Sequence, residues 1–291
     1  MFVVQGPGVT FKPGHRKAIV SVVIGDEYQA IWQTMSLPNW QAYCDRHGFD
    51  LVVITGALDT SERGQARSPA WQKLLILDQP WSSLYDRIVW VDADIVISPT
   101  APDITLSCPD PGLVGVCVSG DQMSEADKHI YFERLYGMAV DPQAAGRAWQ
   151  IHEANRLAED GITGEGVPML NTGVMVLTPR LHNQVFLDTY AMEGKSRLYE
   201  QPHLSHELWR RGLIHRLSAR FNWIVQEILT LHFPHTTTAA GPQELADIVG
   251  HMRKELGKCY FLHFAGSMNL LRYMAGLTAQ SGQAFTPAAA A

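Results

Sequence analysis

An α/β fold, a largely parallel sheet with helices on its faces, is predicted by three features of this sequence. Short apolar runs rich in β-branched residues recur at residues 17–24, 49–55 and 88–91. Continuous runs of this kind suit strands buried on both faces of a sheet. Stretches with helical periodicity separate them, so the first third reads strand, helix, strand, helix, strand. The third run ends in two carboxylates, Asp92 and Asp94. That is the kind of strand terminus beyond which open α/β sheets bind their ligands.

The elements follow in order. Residues 17–24 form the first strand, and Gly25-Asp26 is its tight exit. Residues 27–47 carry helical periodicity through Tyr28, Ile31, Trp32 and Met35. Pro38 divides them into two helices, and Gly48 stops the second. Residues 49–55 are the second strand, and 56–70 a polar loop. A helix around 71–77 leads into the Asp-rich strand, which leaves through the turn-rich Ser98-Pro-Thr-Ala-Pro102. Residues 113–118 are a strand. Residues 121–165 read as mainly helical and polar, and 169–177 return to the sheet. Helices are expected over 180–192 and 202–211, the latter capped by Gly212. An edge strand at 213–217, a loop at 234–242, a helix at 243–256 and an apolar strand at 259–264 complete the core. The small, polar, alanine-rich stretch 278–291 reads as disordered. No internal repeat is present.

Composition narrows the function classes. A chain of 291 residues with 46% hydrophobic content is long enough for one large domain with a substantial core. A net charge of −6 argues against a non-specific nucleic-acid binder, which needs basic surface. No apolar stretch approaches the length of a transmembrane helix. The start, Met1-Phe-Val-Val-Gln-Gly-Pro7, has no charged, signal-like segment. Cys44, Cys108, Cys117 and Cys259 are scattered, without zinc spacing, and read as reduced thiols. The expected location is cytoplasmic, with room for peripheral attachment to a membrane. Nothing in the sequence speaks to the oligomeric state.

The chemistry concentrates at Asp92-Ala-Asp94. Two acids at the end of a buried strand are costly without a counter-charge. Together they suit one hard divalent cation, Mg²⁺ or Mn²⁺. The plain alternative is a surface turn between two strands. An apolar strand, an acidic pair, an apolar continuation and then Pro99 resemble the Asp-x-Asp signature of GT-A glycosyltransferases. The resemblance is to the glycogenin-like family 8 and the galactosyl- and mannosyltransferases of family 34.

Further segments match that pattern in order. Lys73 falls where the family has a lysine near the donor, though alone it reads as a solvated helix lysine. Leu170-Asn-Thr-Gly-Val-Met-Val176 resembles the family's Asn-Ser/Ala-Gly-Val strand, in which Asn171 presents its amide to the sugar and Gly173 lets the backbone approach. Glu200-Gln201 resembles an Asp-Gln pair that places Gln201 by the anomeric carbon; alone it reads as a helix-capping region. Arg220-Phe-Asn-Trp223 resembles a structural Tyr-Asn-Trp element. His263-Phe-Ala-Gly266 resembles His-Phe-x-Gly, which supplies the third metal ligand, whereas an isolated His ending an apolar strand is usually a core residue. The family continues with Lys-Pro-Trp. This chain has Ser267-Met-Asn-Leu270, so Asn269 stands where a diphosphate-binding lysine is expected, and Arg272 is the candidate substitute. The resemblance covers residues 17–118 and 168–272.

What it implies is a single GT-A domain over 1–277, a Rossmann-like mixed sheet flanked by helices. Its nucleotide-binding half is 17–118, an acceptor-side helical insertion is 121–165, and an acceptor and metal half is 168–272. The implied reaction moves a hexose from a nucleotide-diphosphate sugar, a UDP-sugar in the first place, to a glycan or other hydroxyl acceptor with retention. Mn²⁺ or Mg²⁺ is the cofactor, held by Asp92, Asp94 and His263. Lys73, Asp92, Asn171, Gly266 and Arg272 bind the donor. Gln201, Glu200 and Asn171 serve the reacting centre. Tyr131, Phe132, Tyr136 and Trp149 in the insertion have rings suited to a sugar face, but their helical spacing reads as core packing.

Three rivals remain on the sequence. Asp92-Ala-Asp-Ile-Val96 also matches the signature of haloacid-dehalogenase-like phosphatases, with Asp92 as nucleophile. That motif normally follows the first strand, and here it follows the third. A nucleotidylyltransferase lacks support, since no Gly-rich basic loop lies near the N-terminus. The last rival is a nucleotide-sugar-binding relic that has lost catalysis.

Overall fold

The structure is a computed structural model and describes residues 1–164, 166–193, 196–233 and 242–276. In chain order its strands are β1 (Phe2–Val4), β2 (Lys17–Val22), β3 (Asp50–Ile54), β4 (Arg87–Val91), β5 (Ile95–Ile97), β6 (Val114–Val118), β7 (Leu170–Leu177), β8 (Ile214–Arg216), β9 (Trp223–Ile224) and β10 (Phe261–His263). Its α-helices are α1 (Asp26–Met35), α2 (Leu37–His47), α3 (Glu62–Ala66), α4 (Glu125–Tyr136), α5 (Ala145–Glu159), α6 (Pro179–Ala191), α7 (Gln201–Arg210), α8 (Val225–His232), α9 (Pro242–Lys258) and α10 (Met268–Met274).

A seven-stranded sheet runs β1-β3-β2-β4-β7-β6-β8. The pairs among β1, β3, β2 and β4 are parallel, β7 is antiparallel to both its neighbours, and β6 pairs parallel with β8. The expected mixed sheet flanked by helices is therefore present. The continuous apolar runs are explained by alternation. Val20, Val52, Ile88 and Trp90 face a core closed by Trp71, Leu74, Phe186 and Leu204. Ile19, Leu51, Val53, Val89 and Val91 face the opposite core, closed by Trp32, Trp40 and Phe261.

A second sheet of three strands, β5-β10-β9, lies against that second core. Its other face is covered by α8, α9 and α10 through Ile228, Met252 and Leu271. The chain leaves β4, turns through Asp92-Ala-Asp94, and enters β5 in this smaller sheet. The two apolar runs around the acidic pair thus belong to different sheets.

Several elements differ from expectation. The stretch before β4 is a 3₁₀-helix, Pro69–Asp78, not an α-helix. Trp71, Gln72, Lys73, Leu74, Ile76 and Leu77 are all buried there, so no single apolar face imposes the 3.6-residue period. Pro38 does not break a helix interior: α1 ends at Met35, and Pro38 sits in the first turn of α2, where its missing N–H is harmless. Gly48 ends α2 in a left-handed conformation, φ 68°. Strand β1, at the sheet edge, and α8 carry too few periodic residues to have been anticipated. The expected loop at 234–242, apart from Pro242, and the expected disordered stretch 278–291 lie outside the described residues.

Helices α4 and α5 make up most of the described part of the 121–165 segment. Ser124 and Asp127 make a capping box at the start of α4, and Gly137 closes it in a left-handed turn. Phe132 and Trp149 pack with Met123 in a separate small core, as their spacing predicts.

Candidate active site

The site forms where the two sheets part. Because β4 runs antiparallel to β7, Val91 pairs with Val174, and the next step along each strand gives an Asp92 N–H to Gly173 carbonyl bond of 2.8 Å. Because β10 runs antiparallel to β5, His263 pairs with Ile95, and the Phe264 N–H bonds the Asp94 carbonyl at 2.9 Å. Two sheet registers therefore clamp one three-residue turn and bring His263 to it.

His263 Nε2 lies 3.2 Å from an Asp94 oxygen and 3.8 Å from an Asp92 oxygen. The potential ligand atoms of all three residues fall within 4.8 Å of one another, and among the described residues this is the single cluster of that kind. The other ring nitrogen is committed. Nδ1 is 2.7 Å from Asn222 Oδ1, which can only accept, so Nδ1 carries a proton. The orientation of Asn222 is fixed in turn, since its Nδ2 donates to Asn171 Oδ1 at 2.8 Å and to the Asn171 carbonyl at 3.2 Å. Asn171 Oδ1 also accepts from the Gly173 N–H at 3.0 Å. A neutral imidazole so held points the Nε2 lone pair at two carboxylates. Only a cation between them, a proton or a metal, makes that arrangement favourable.

Gly173 is needed for this approach. A Cβ there would lie 2.7 Å from His263 Nδ1 and nearer still to Cε1. A bulge delivers it: Val116 pairs with Met175, but the next residue, Cys117, pairs with Asn171, so Thr172 to Val174 arch out of the β6 ladder.

Charge is balanced within the site. Burial disfavours the charged forms of both Asp94 and His263, but their mutual attraction outweighs it. The Asp94 carboxyl is thereby held below its usual range, and the His263 imidazole is raised above its own. Lys73 is buried, with its ammonium 3.1 Å from Asp92 and 2.9 Å from Glu200. Burial opposes its charge, and those two carboxylates more than restore it. Glu200 accepts from Thr172 Oγ1 at 2.8 Å, while its Oε2 has no partner. Asp92 also accepts from Trp90 Nε1 at 2.7 Å.

Two cavities meet here. One of about 780 Å³ is lined by Val22, Ile24, Tyr28, Trp90 and Asn269. The other, of about 400 Å³, is lined by Asn171, Gln201, His263, Tyr131 and Tyr136. Lys73, Asp92, Asp94, Tyr199 and Gly266 border both. The structure thus brings together Lys73, Asp92, Asp94, Asn171, Glu200, Gln201, His263 and Gly266. It does not bring Arg272 to them: that guanidinium bonds Glu27 on α1 and, at 2.7 Å, Asn269 Oδ1, and it lines neither cavity. Asn269 itself faces the larger one.

Two residues went unnoticed in the sequence. Asn222 orients His263, and its place in the Arg220-Phe-Asn-Trp223 match was the available signal. Tyr199 stands between the cavities with φ 58°, a left-handed conformation rare for a tyrosine. No sequence pattern marks it.

No family model and no curated protein sequence matches the chain. Solved structures do resemble it. A glycosyltransferase involved in the glycosylation of the major capsid of PBCV-1 superposes with a TM-score of 0.52 at 13% identity, covering 90% of this chain and 99% of that one. The bifunctional glycosyltransferase WbbM superposes with a TM-score of 0.50 at 14% identity over 89% of this chain, which spans 47% of that longer protein. With a mixed sheet, a turn of paired acids at its centre and these neighbours, the chain has the GT-A glycosyltransferase fold.

Proposed function

We propose that this chain is a retaining glycosyltransferase that moves a hexose from a nucleotide-diphosphate sugar, a UDP-sugar foremost, to a hydroxyl of a glycan or other acceptor. The observation that carries the reading is the His263 Nε2 lone pair, fixed by Asn222 and aimed at Asp92 and Asp94 at the junction of two cavities. Two carboxylates and an imidazole are a donor set suited to Mn²⁺, with Mg²⁺ the second choice. Held by Asp92, Asp94 and His263, such an ion supplies neutralisation of the charge that develops on a diphosphate leaving group.

The chain's own residues do the rest. The larger cavity, within the size range of small-molecule sites, takes the nucleoside against Tyr28, Val22 and Ile24. Lys73 supplies a buried counter-charge to Asp92 and Glu200. The unpartnered Oε2 of Glu200 and the amide of Gln201, at the start of α7, stand by for sugar hydroxyls and the oxocarbenium-like transition state. Asn171, whose oxygen is already engaged, positions His263 through Asn222. Glu200 is tied to Lys73 and Thr172, so it is a poor free nucleophile. We therefore favour a front-face path: the bond from the anomeric carbon to the diphosphate breaks, the acceptor oxygen bonds to the same face, and the departing phosphate oxygen takes the acceptor's proton.

The acceptor enters through the smaller cavity, whose wall includes Tyr131 and Tyr136 of α4, so the 121–165 segment is the acceptor-side part of a single domain. A cytoplasmic setting is supported by four buried free thiols. Among the described residues no helix is long and apolar enough to cross a membrane.

The test is calorimetric titration of Mn²⁺ with uridine diphosphate at pH 5.5 and 7.5, roughly a unit either side of the ordinary imidazole value, on the wild type and His263→Ala. Metal binding must displace the proton from Nε2, so wild-type affinity falls as pH drops, and the variant loses both affinity and that dependence. A variant that binds Mn²⁺ as before and is merely less stable without metal overturns the reading. Slow hydrolysis of one nucleotide-sugar from a panel then identifies the donor.

A further inference from the structure

Resting on that reading, we infer that the acceptor is anionic: it carries a carboxylate or phosphate that Arg156 and Arg197 bind on the helical wall of the smaller cavity. Both arginines line this cavity of about 400 Å³ together with Asp92, Asp94 and His263. Arg156 comes from α5, and Arg197 from the segment just before α7. Both act electrostatically on the hydroxyl of Tyr136, which lines the same cavity. The His263 imidazole responds chiefly to Asp94, Asp92 and Lys73. The cavity lining therefore combines a cation-binding cluster from strand ends with two guanidinium groups, one from α5 and one from the turn before α7.

The local charge balance leaves room for a further anion. The acids among its lining residues are Asp92 and Asp94 at the strand end and Glu200, which is paired with Lys73. Each arginine has one acidic partner outside the lining. Arg156 Nη1 lies 3.3 Å from Glu153, and Arg197 Nη2 lies 2.8 Å from the exposed Glu159. A guanidinium has five N–H donors, and one contact to a carboxylate leaves most of them for a ligand. Burial also pushes the Glu153 carboxyl above its usual range. Gln226 also lines the cavity, with an Oε1 that has no hydrogen-bond partner, an acceptor for a sugar hydroxyl. Tyr131 and Tyr136 add ring faces for a pyranose. An acceptor that fills this space places a hydroxyl at the triad and a negative group at the arginines.

The experiment compares three acceptors with the donor that hydrolysis identifies: a neutral methyl hexoside, the matching methyl hexuronoside and the matching hexose 6-phosphate. An anionic acceptor should show kcat/KM at least about tenfold above the neutral one, as charge-assisted hydrogen bonds in a half-enclosed site allow. Which of the two anions wins separates a uronic acid from a phosphosugar. The preference should shrink with added salt and collapse in Arg197→Gln and Arg156→Gln. Arg156→Met, which removes the charge but keeps most of the side-chain packing, stands in if the Gln variant fails to fold. Equal use of the neutral sugar, or a preference that survives both substitutions, overturns the inference. Calorimetric binding of the same three sugars to the protein with Mn²⁺ and uridine diphosphate needs no turnover. Uridine diphosphate that binds while the anionic sugars bind no better than the neutral one defeats the anionic acceptor alone. Failure of uridine diphosphate to bind defeats the glycosyltransferase reading instead.

Discussion

Two groups of acids, one at the strand ends and one under the helices, respond to their surroundings in opposite ways. At the strand ends, Asp94 lies against His263 and near Lys73, and its carboxyl is held below the ordinary range although burial works against it. Under the helices, Glu227 of α8 faces Glu153 of α5. Burial first, and then the neighbouring Glu153, push the Glu227 carboxyl up to about 8. Both glutamates leave an oxygen unpartnered. The difference lies in the cations. Lys73 and His263 both reach the strand-end acids at hydrogen-bonding distances, whereas in the helical lobe Arg156 bonds Glu153 alone, and Lys128 acts on Glu227 only through space. Acids kept charged by movable or exchangeable cations can hold a metal. Acids that burial pushes towards their protonated form pack within a lobe instead.

The sharpest way to break this contrast is to remove a strand-end charge. Asp94→Ala should lower glycosyl transfer by at least about 10³-fold while leaving far-ultraviolet circular dichroism unchanged. Retained turnover at saturating Mn²⁺ would assign the metal elsewhere. Next in size is Lys73→Met, which strands Glu200 and Asp92 without their buried counter-charge. Urea denaturation should show a loss of roughly 3 kcal/mol, and a loss below about 1 kcal/mol would mean that water or protons compensate.

A smaller change probes the backbone approach. Gly173→Ala forces His263 off its position, and Mn²⁺ affinity should fall about 10- to 100-fold, as for loss of a group that orients a ligand. Unchanged affinity would show that the bulge relaxes to admit the methyl group. The smallest effect belongs to the helical lobe. The folded value of Glu227 lies above its ordinary 4.5, so the folded state binds the proton more tightly than the unfolded chain. Its contribution is complete below about 4.5 and is lost as pH rises through about 8. Glu153, raised in the same direction, adds to the trend, while Lys128 and Arg156 oppose it. The melting temperature should therefore decline between pH 6 and 9 by the equivalent of roughly 1–3 kcal/mol, and Glu227→Gln should flatten that decline. A Gln variant with the same slope as the wild type would place the titration in another group.

The sequence alone determined the sheet and the residues that crowd its centre. Uninterrupted β-branched runs have one stable use, as strands covered on both faces, and Asp92-Ala-Asp94 stood out because acids rarely end such a run. Asn171, Gly173, Gln201 and His263 were legible through short motifs in the right order. Only the tertiary structure decided how they act. The turn at Asp92-Ala-Asp94 passes from one sheet to another, and strand pairing between residues far apart in the chain places His263 there. That pairing depends on two registers, which no local pattern encodes. The tautomer of His263 rests on Asn222 and Asn171, and the placing of Arg272 rests on Glu27. Tyr199 and the two arginines of the smaller cavity left no trace in periodicity, because isolated polar and aromatic residues in loops and on helix surfaces acquire a role only from what folds opposite them.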